Sequence, residues 1–206
     1  SNLAGAAARK QEAEARFDAG PVKTLTVPWR AEGSRPLAAL ILEEPDAAVL
    51  GGWGADEIVW LRDPTVEEDV AAGLIAWARE HPPWAILAPG TAWGREVASR
   101  TAAALGAGLT GDAIALVRDG DELVAWKPAF GGRLVAAIRA SSPVQLATIR
   151  AGVLARPGPR VHQAPVVERA VTPRGRVHVL GRTRDDDLDA LAEAHTVIGV
   201  GQGVDP

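Results

Sequence analysis

Cysteine, methionine and tyrosine are all missing from the 206 residues. Without cysteine the chain has no disulfide framework, no thiolate metal site and no thiol nucleophile. Basic residues are not in excess, at 22 Lys+Arg against 26 Asp+Glu, so neither a nucleic-acid backbone nor an acidic membrane surface is expected as a partner. No run approaches the ~18 consecutive apolar residues of a membrane span. Arg9, Lys10, Glu12, Glu14 and Arg16 stand where a secretion segment would be apolar, which predicts a cytoplasmic protein. The 4 histidines, His81, His162, His178 and His195, lie far apart, and none has a partner at helical two-ligand spacing. What is present is 47% apolar residues, enough for a sizeable core in one or two domains. Ser1-Asn2 without an initiator Met reads as a cleavage scar, and a longer natural protein is expected.

Periodicity organises the chain. Leu3 to Phe17 reads as an Ala-rich helix ended by Gly20-Pro21, and Thr24 to Val27 as an edge strand or ordered loop. Leu37 to Leu42 is an apolar run suited to a strand covered on both faces, followed by a short helix over Asp46 to Leu50 and the glycines Gly51, Gly52 and Gly54. Glu57 to Leu61 predicts a strand, and Val66 to Glu80 a helix with Thr65 placed to cap it. Trp84 to Ala88 predicts the next strand, Pro89 to Gly94 a loop, and Arg95 to Leu105 a second helix. This rhythm predicts an α/β fold: a mostly parallel, Rossmann-like, three-layer sheet with helices on both faces and ligand-capable loops at the strands' carboxyl ends.

From Gly111 onward Ala113 to Val117, Glu122 to Lys127 and Arg133 to Ile138 predict an added hairpin-like β segment, and Gln145 to Ile149 one more apolar strand. Arg156 to Arg160 reads as a linker, giving domains 1–158 and 159–206. Beyond it, Val161 to Arg176 is extended and polar, Asp185 to Ala194 a short acidic helix, and Thr196 to Val204 a strand entering a glycine-rich turn.

Chemistry-bearing patterns are few. Gly199, Gly201, Gln202 and Gly203 form the sharpest one, because glycines after a strand let backbone amides approach a phosphate. A bare strand-loop tail is the plainer alternative. The loop Gly90 to Arg95 lies between a strand and a helix, where Thr91 caps the helix or meets phosphate, yet it lacks the Gly-Lys-Ser/Thr of a Walker loop, and capping with packing of Trp93 is favoured. The trio Asp185-Asp186-Asp187 reads as a solvated helix start before it reads as a cation site. Trp60, Trp77 and Trp84 belong to apolar faces, while Trp53 stands among glycines. For Arg133, Arg139 and Arg150 an interface or anion role and simple edge solubility stay equally open.

Leu87 to Glu96, Arg100 to Asp112, Lys127 to Gly132 and Val135 to Ala140, with Gly54-Ala55-Asp56-Glu57 before them, resemble in order the motifs of the alpha subunit of electron transfer flavoproteins. The likeness covers about Gly51 to Ile149 and returns at Val197 to Val204, which is similar to the strand and glycine turn opening that family's FAD-binding domain. Gln202 stands where the family usually has an Arg that meets FAD, and residues before Leu37 fit the family poorly. The resemblance implies an electron carrier and not an enzyme, with FAD as cofactor and Gly199, Gly201, Gln202 and Gly203 as the first edge of its site. It also implies a beta-subunit partner, flavin dehydrogenases as donors, a quinone-reductase-type acceptor and no direct membrane insertion. Residues 159–206 then correspond to a linker and the opening of a truncated FAD-binding domain, and this fragment is expected to retain no flavin. Two other readings compete: an adenine-nucleotide-binding hydrolase or ligase using residues 90–95, and a dimerisation module whose hairpin segment makes a symmetric interface.

Overall fold

A computed structural model describes residues 36–150, 152–154, 160–181, 191, 194–201 and 203. The expected helix over 3–17, the strand over 24–27, the acidic trio 185–187 and Gln202 lie outside the described residues. The chain divides into two units, Ser1–Gly175 and Arg176–Pro206.

The first unit is α/β and Rossmann-like, built on parallel strands in two groups. Strands β1 (Ala38–Ile41), β2 (Glu57–Arg62) and β9 (Val166–Ala170) form one parallel sheet in the order β1-β2-β9, with Leu40 opposite Val59 and Val59 opposite Val167. Strands β3 (Ala85–Pro89), β8 (Gln145–Ile149) and β4 (Gly108–Ala113) form a second in the order β3-β8-β4, also parallel. The alternation along β2 decides the layers, because successive side chains point to opposite faces. Val59 and Leu61 pack with Val70, Ala71 and Leu74 of helix α2 (Glu67–Glu80) and Val97 of helix α3 (Ala92–Leu105). Ile58 packs the other way, with Ala47 and Leu50 of helix α1 (Ala47–Gly52). Helices therefore cover both faces of that sheet. Full burial of Leu61, Ile58 and Val59 contributes about 2 kcal/mol each in apolar area removed from water.

Local chemistry sets the helix ends. The Asp46 carboxylate accepts from the amides of Ala48 and Val49 at 3.0 and 2.9 Å and starts α1. For α2 the expected cap, Thr65, is corrected: the N-cap residue is Val66, and Asp69 reaches back so that its Oδ2 accepts from the amides of Thr65 and Val66 at 3.0 and 3.3 Å. A carboxylate three residues inside the helix accepts more strongly than a hydroxyl outside it. Helix α3 begins at Ala92, three residues before the expected Arg95, because Thr91 takes the cap and accepts from the Gly94 amide at 3.1 Å. Its C-terminus ends on Gly106 in the left-handed region, φ 61°.

Strand β4 went unpredicted, and the expected Ala113 to Val117 strand is split between β4 and β5 (Ala115–Asp119). Two glycines, a threonine and an aspartate hide β4 from propensity; pairing with β8 makes it a strand. Strands β5, β6 (Glu122–Ala129) and β7 (Leu134–Ile138) form the expected antiparallel meander, closed between β5 and β6 by Gly120 at φ 62°. Leu116, Leu123 and Ala125 of the meander pack against Ala147 of β8.

The first unit continues past the 156–160 segment at which a boundary is expected. Arg160 donates to the carbonyls of Gly51 and Ala55 and to Asp56 Oδ1 at 2.9, 2.8 and 2.9 Å, and β9 lies in register with β2. The glycines at 51 and 52 are explained here: a Cβ on Gly51 would stand 2.5 Å from the carbonyl oxygen of His162, and one on Gly52 3.2 Å from that of Arg160. In the second unit the expected strand at Thr196 to Val204 is not formed among the described residues; Val197, Ile198 and Val200 are exposed. A lone strand has no neighbour for its amides and carbonyls. No helix among the described residues is long and apolar enough to cross a membrane.

Candidate functional site

Open α/β sheets bind ligands outside the carboxyl ends of their strands. In the β3-β8-β4 sheet that end is formed by the loop after β3, by Asp112 at the end of β4 and by Arg150 just after β8.

The loop after β3 is bonded to its own protein. The Gly90 amide donates to the Ile149 carbonyl at 2.6 Å, the Gly90 carbonyl accepts from Arg95 Nε at 2.9 Å, and the Arg95 amide donates to the Thr91 carbonyl at 2.9 Å. The Gly94 amide is taken by Thr91. Both glycines answer to crowding by the chain: a Cβ on Gly90 would meet the Ile149 carbonyl oxygen at 2.8 Å, and one on Gly94 would collide with the carbonyl oxygen of Pro89. Trp93 packs on the cluster of Val59, Leu61 and Val97. Capping and core packing, the favoured reading of this loop, is what the geometry contains.

Beside it stands a charged pair. Arg150 grips Asp112 in a two-pronged contact, Nε to Oδ1 at 3.0 Å and Nη2 to Oδ2 at 2.5 Å. Asp112 holds φ 60°, and its amide donates to Thr148 Oγ1 at 2.8 Å. The hydrogen bond from Arg150 holds the Asp112 carboxyl below its ordinary range, and the same bond raises Arg150. Arg95 and Lys127 add favourable charge at Asp112. The Gly111-Asp112 turn followed by Ile149-Arg150 was the available signal, but spacing alone did not join two residues 38 apart in sequence. The pair satisfies itself and ties β4 to β8; it leaves no group poised for proton or acyl transfer.

The remaining candidates do not converge on this end. Arg139 is held by Asp119 and Glu122 at 2.8 and 2.5 Å, which raises it, with Glu122 the larger cause. Arg133 is exposed. His81 stacks on Trp77 at 5.6 Å between centroids, and no group of three metal-ligating side chains occurs among the described residues. Trp84 donates to the Asp121 carbonyl at 2.7 Å, Trp60 lies under the Arg62 guanidinium at 4.3 Å, and Trp53 is exposed. Trp126 of β6, not singled out in the sequence, is buried against Val135. Gly199, Gly201 and Gly203 belong to the second unit, and no atom lies within 4 Å of where a Cβ would stand on any of them.

Comparison with known proteins supplies the rest. The family described as electron transfer flavoprotein domain matches residues 29–174. The electron transfer flavoprotein subunit alpha of Mycobacterium leprae is 30% identical over 187 residues, covering 81% of this chain and 58% of its own length. Protein FixB of Clostridium saccharobutylicum is 32% identical over 164 residues, 73% of this chain and 48% of its own. The electron transfer flavoprotein subunit alpha of Thermoanaerobacterium thermosaccharolyticum is 34% identical over 110 residues, 50% of this chain and 33% of its own. The chain spans between 33% and 58% of the length of these curated relatives. The matched stretch contains every strand and helix among the described residues of the first unit and covers most of the chain, and on that ground the chain belongs to the electron transfer flavoprotein family, as a protein of the alpha-subunit type.

Proposed function

We propose that this chain is the amino-terminal part of the alpha-type subunit of an FAD-containing electron carrier, and that it serves as scaffold and subunit interface without catalysing a reaction of its own. The observation that carries this reading is the family match over 29–174, which runs through the whole described part of the first unit up to Arg174. In this reading the subunit pairs with a beta-type electron transfer flavoprotein subunit in the cytoplasm, between flavin dehydrogenases and a quinone-reductase-type acceptor. Bound flavin supplies the redox chemistry, and the protein's part is to position it and adjust its potential by charge and hydrogen bonding.

Gly199, Gly201, Gln202 and Gly203 are proposed as the first edge of that flavin site. The open space around the three described glycines suits close approach of a ligand to the backbone. However, the described residues around them form no strand and present no helix amides, so they do not build a flavin cradle by themselves. The remainder of the site is proposed to lie in sequence that the longer relatives possess. The competing hydrolase or ligase reading requires residues 90–95 to offer amides to phosphate, and the bonds of Gly90, Gly94 and Arg95 within the protein oppose it.

Two measurements decide. The chain extended to the length of its relatives and expressed with a beta-type subunit is expected to carry a flavin visible spectrum; a colourless complex that resists reconstitution with FAD overturns the proposal. Titration of the 206-residue chain with ATP is expected to reveal no saturable site. Saturable binding abolished by Arg95→Ala would favour the hydrolase or ligase instead.

A further inference from the structure

The face at the carboxyl ends of β3, β8 and β4 carries more positive charge than its own carboxylate can answer. Arg95 and Lys127 have no ion-pair partner among the described residues, and Asp112 is already gripped by Arg150. Three bonds bring these groups together. Arg95 Nε donates to the Gly90 carbonyl at 2.9 Å and the Gly90 amide to the Ile149 carbonyl at 2.6 Å, which holds Arg95 beside the end of β8. The Ile114 amide donates to the Trp126 carbonyl at 2.8 Å, which sets Lys127 of β6 beside the end of β4. Both cations add to the pull of Arg150 on the Asp112 carboxyl. Three cations thus surround one carboxylate, in a chain whose net charge is -4.

Apolar surface continues this face. Lys127 lies opposite Ala136 and Ala129 opposite Leu134, so Lys127 and Leu134 share one side of the meander. Leu134 is 58% exposed. Phe130, in the turn between β6 and β7, is 79% exposed and left-handed at φ 52°, with Gly131 and Gly132 following at 68° and 83°. Holding a bulky residue in that region costs free energy, and an exposed side chain recovers little of it within its own chain.

We propose that this face receives an acidic, apolar-lined surface of a beta-type partner subunit, with Phe130 and Leu134 in apolar contact and Arg95 and Lys127 on the partner's carboxylates. The inference rests on the pairing proposed above. Charge and exposure choose the occupant. Covering two unanswered cations without carboxylates is costly, and a second copy meeting this face with the same face would set cation against cation. A phosphate finds no backbone cradle here, because the amides of Gly90, Gly94 and Arg95 are bonded within the chain. Exposed Phe130 and Leu134 suit a standing subunit over a passing electron donor or acceptor, since permanent interfaces are the more apolar class.

The test titrates the chain, extended to the length of its relatives, with a beta-type subunit. Amide exchange at residues 130–136 is expected to slow in the complex, and the dissociation constant to rise with salt. Phe130→Gly suits the left-handed backbone, so the chain alone should melt no lower, yet the dissociation constant is expected to rise about tenfold. Lys127→Glu sets a carboxylate against the partner's own; it is expected to weaken binding about tenfold and to flatten the salt dependence, with circular dichroism checking the fold. Failure of the two subunits to associate overturns the pairing itself. A flavin-bearing complex that leaves 130–136 unprotected, or that is indifferent to either variant, overturns this surface alone. So does protection of the same amides in the chain by itself as its concentration rises, which would assign the face to a second copy.

Discussion

Asp69 joins two distant parts of the first unit. It is 2% exposed, and its two oxygens accept from three backbone amides: Oδ2 from Thr65 and Val66, and Oδ1 from Arg174 at 2.9 Å. One side chain thus starts α2 and anchors the segment that follows β9. The Arg174 amide is the largest cause holding its carboxyl below the ordinary value, and burial opposes it. The sign follows: with the folded value below the unfolded one, near 3.9, this stabilisation is fully present above about pH 5 and is lost as pH falls through 4 and below. Asp69→Ala, which orphans three amides, is expected to cost about 3 kcal/mol in urea unfolding. Asp69→Asn should be less stable at neutral pH and lose less on acidification than the parent; equal acid sensitivity would mean that other carboxylates dominate. Gly94 sets two effects against each other. Alanine is the better helix former by about 1 kcal/mol, but its Cβ would collide with the rigid Pro89 carbonyl, so Gly94→Ala is expected to destabilise by about 2 kcal/mol or more. A gain in melting temperature would show that α3 can shift away from β3.

Elements were legible where one residue type repeats and obscure where a side chain reaches across the chain. The Val/Ile/Leu runs of β1, β2, β3 and β8 and the 3.6-residue spacing of α2 predicted themselves, because burial on one or both faces writes directly into sequence. The capping of α2 by Asp69 was missed because the acceptor sits inside the helix and its third donor lies 105 residues away. Gln145 is a second such case. It opens an apolar strand, yet it is 4% exposed, accepting from the Leu123 amide at 2.6 Å and donating to the Asp121 carbonyl at 3.2 Å. Those bonds fasten β6 to the β3-β8-β4 sheet. Gln145→Leu keeps the volume but leaves the buried Leu123 amide unpaired, a cost of about 1 to 3 kcal/mol. The loss should be local: amide exchange in β5 and β6 should quicken more than in α2. Uniform quickening would mean that the meander and the parallel sheets open together.

At the scale of the molecule, the α/β rhythm was legible from residue 37 to 110 and the family likeness from 51 to 149, but the contacts made after residue 158 were not. The Arg156-Pro157-Gly158-Pro159-Arg160 segment has the composition of a linker, but composition reports backbone stiffness and not what the chain does afterwards. Afterwards the chain returns: Arg160 clasps the C-terminus of α1 and Asp56, Ala164 and Val171 enter the core at 2% and 8% exposure, β9 completes a sheet, and Arg174 reaches Asp69. At about 1 kcal/mol for each net hydrogen bond and about 2 for burying a valine, this return is worth a large fraction of the 5 to 15 kcal/mol by which domains are stable. A chain ending at Gly175 is therefore expected to unfold cooperatively, with a melting temperature close to that of the 206-residue chain. One ending at Gly158 leaves β2 as an open edge and Gly51 uncovered. It is expected to lose its cooperative transition, or to melt far lower, and to be cut by protease within the parallel sheets. If the two truncations melt alike, the contacts made after residue 158 are decoration, and the unit closes at the linker after all.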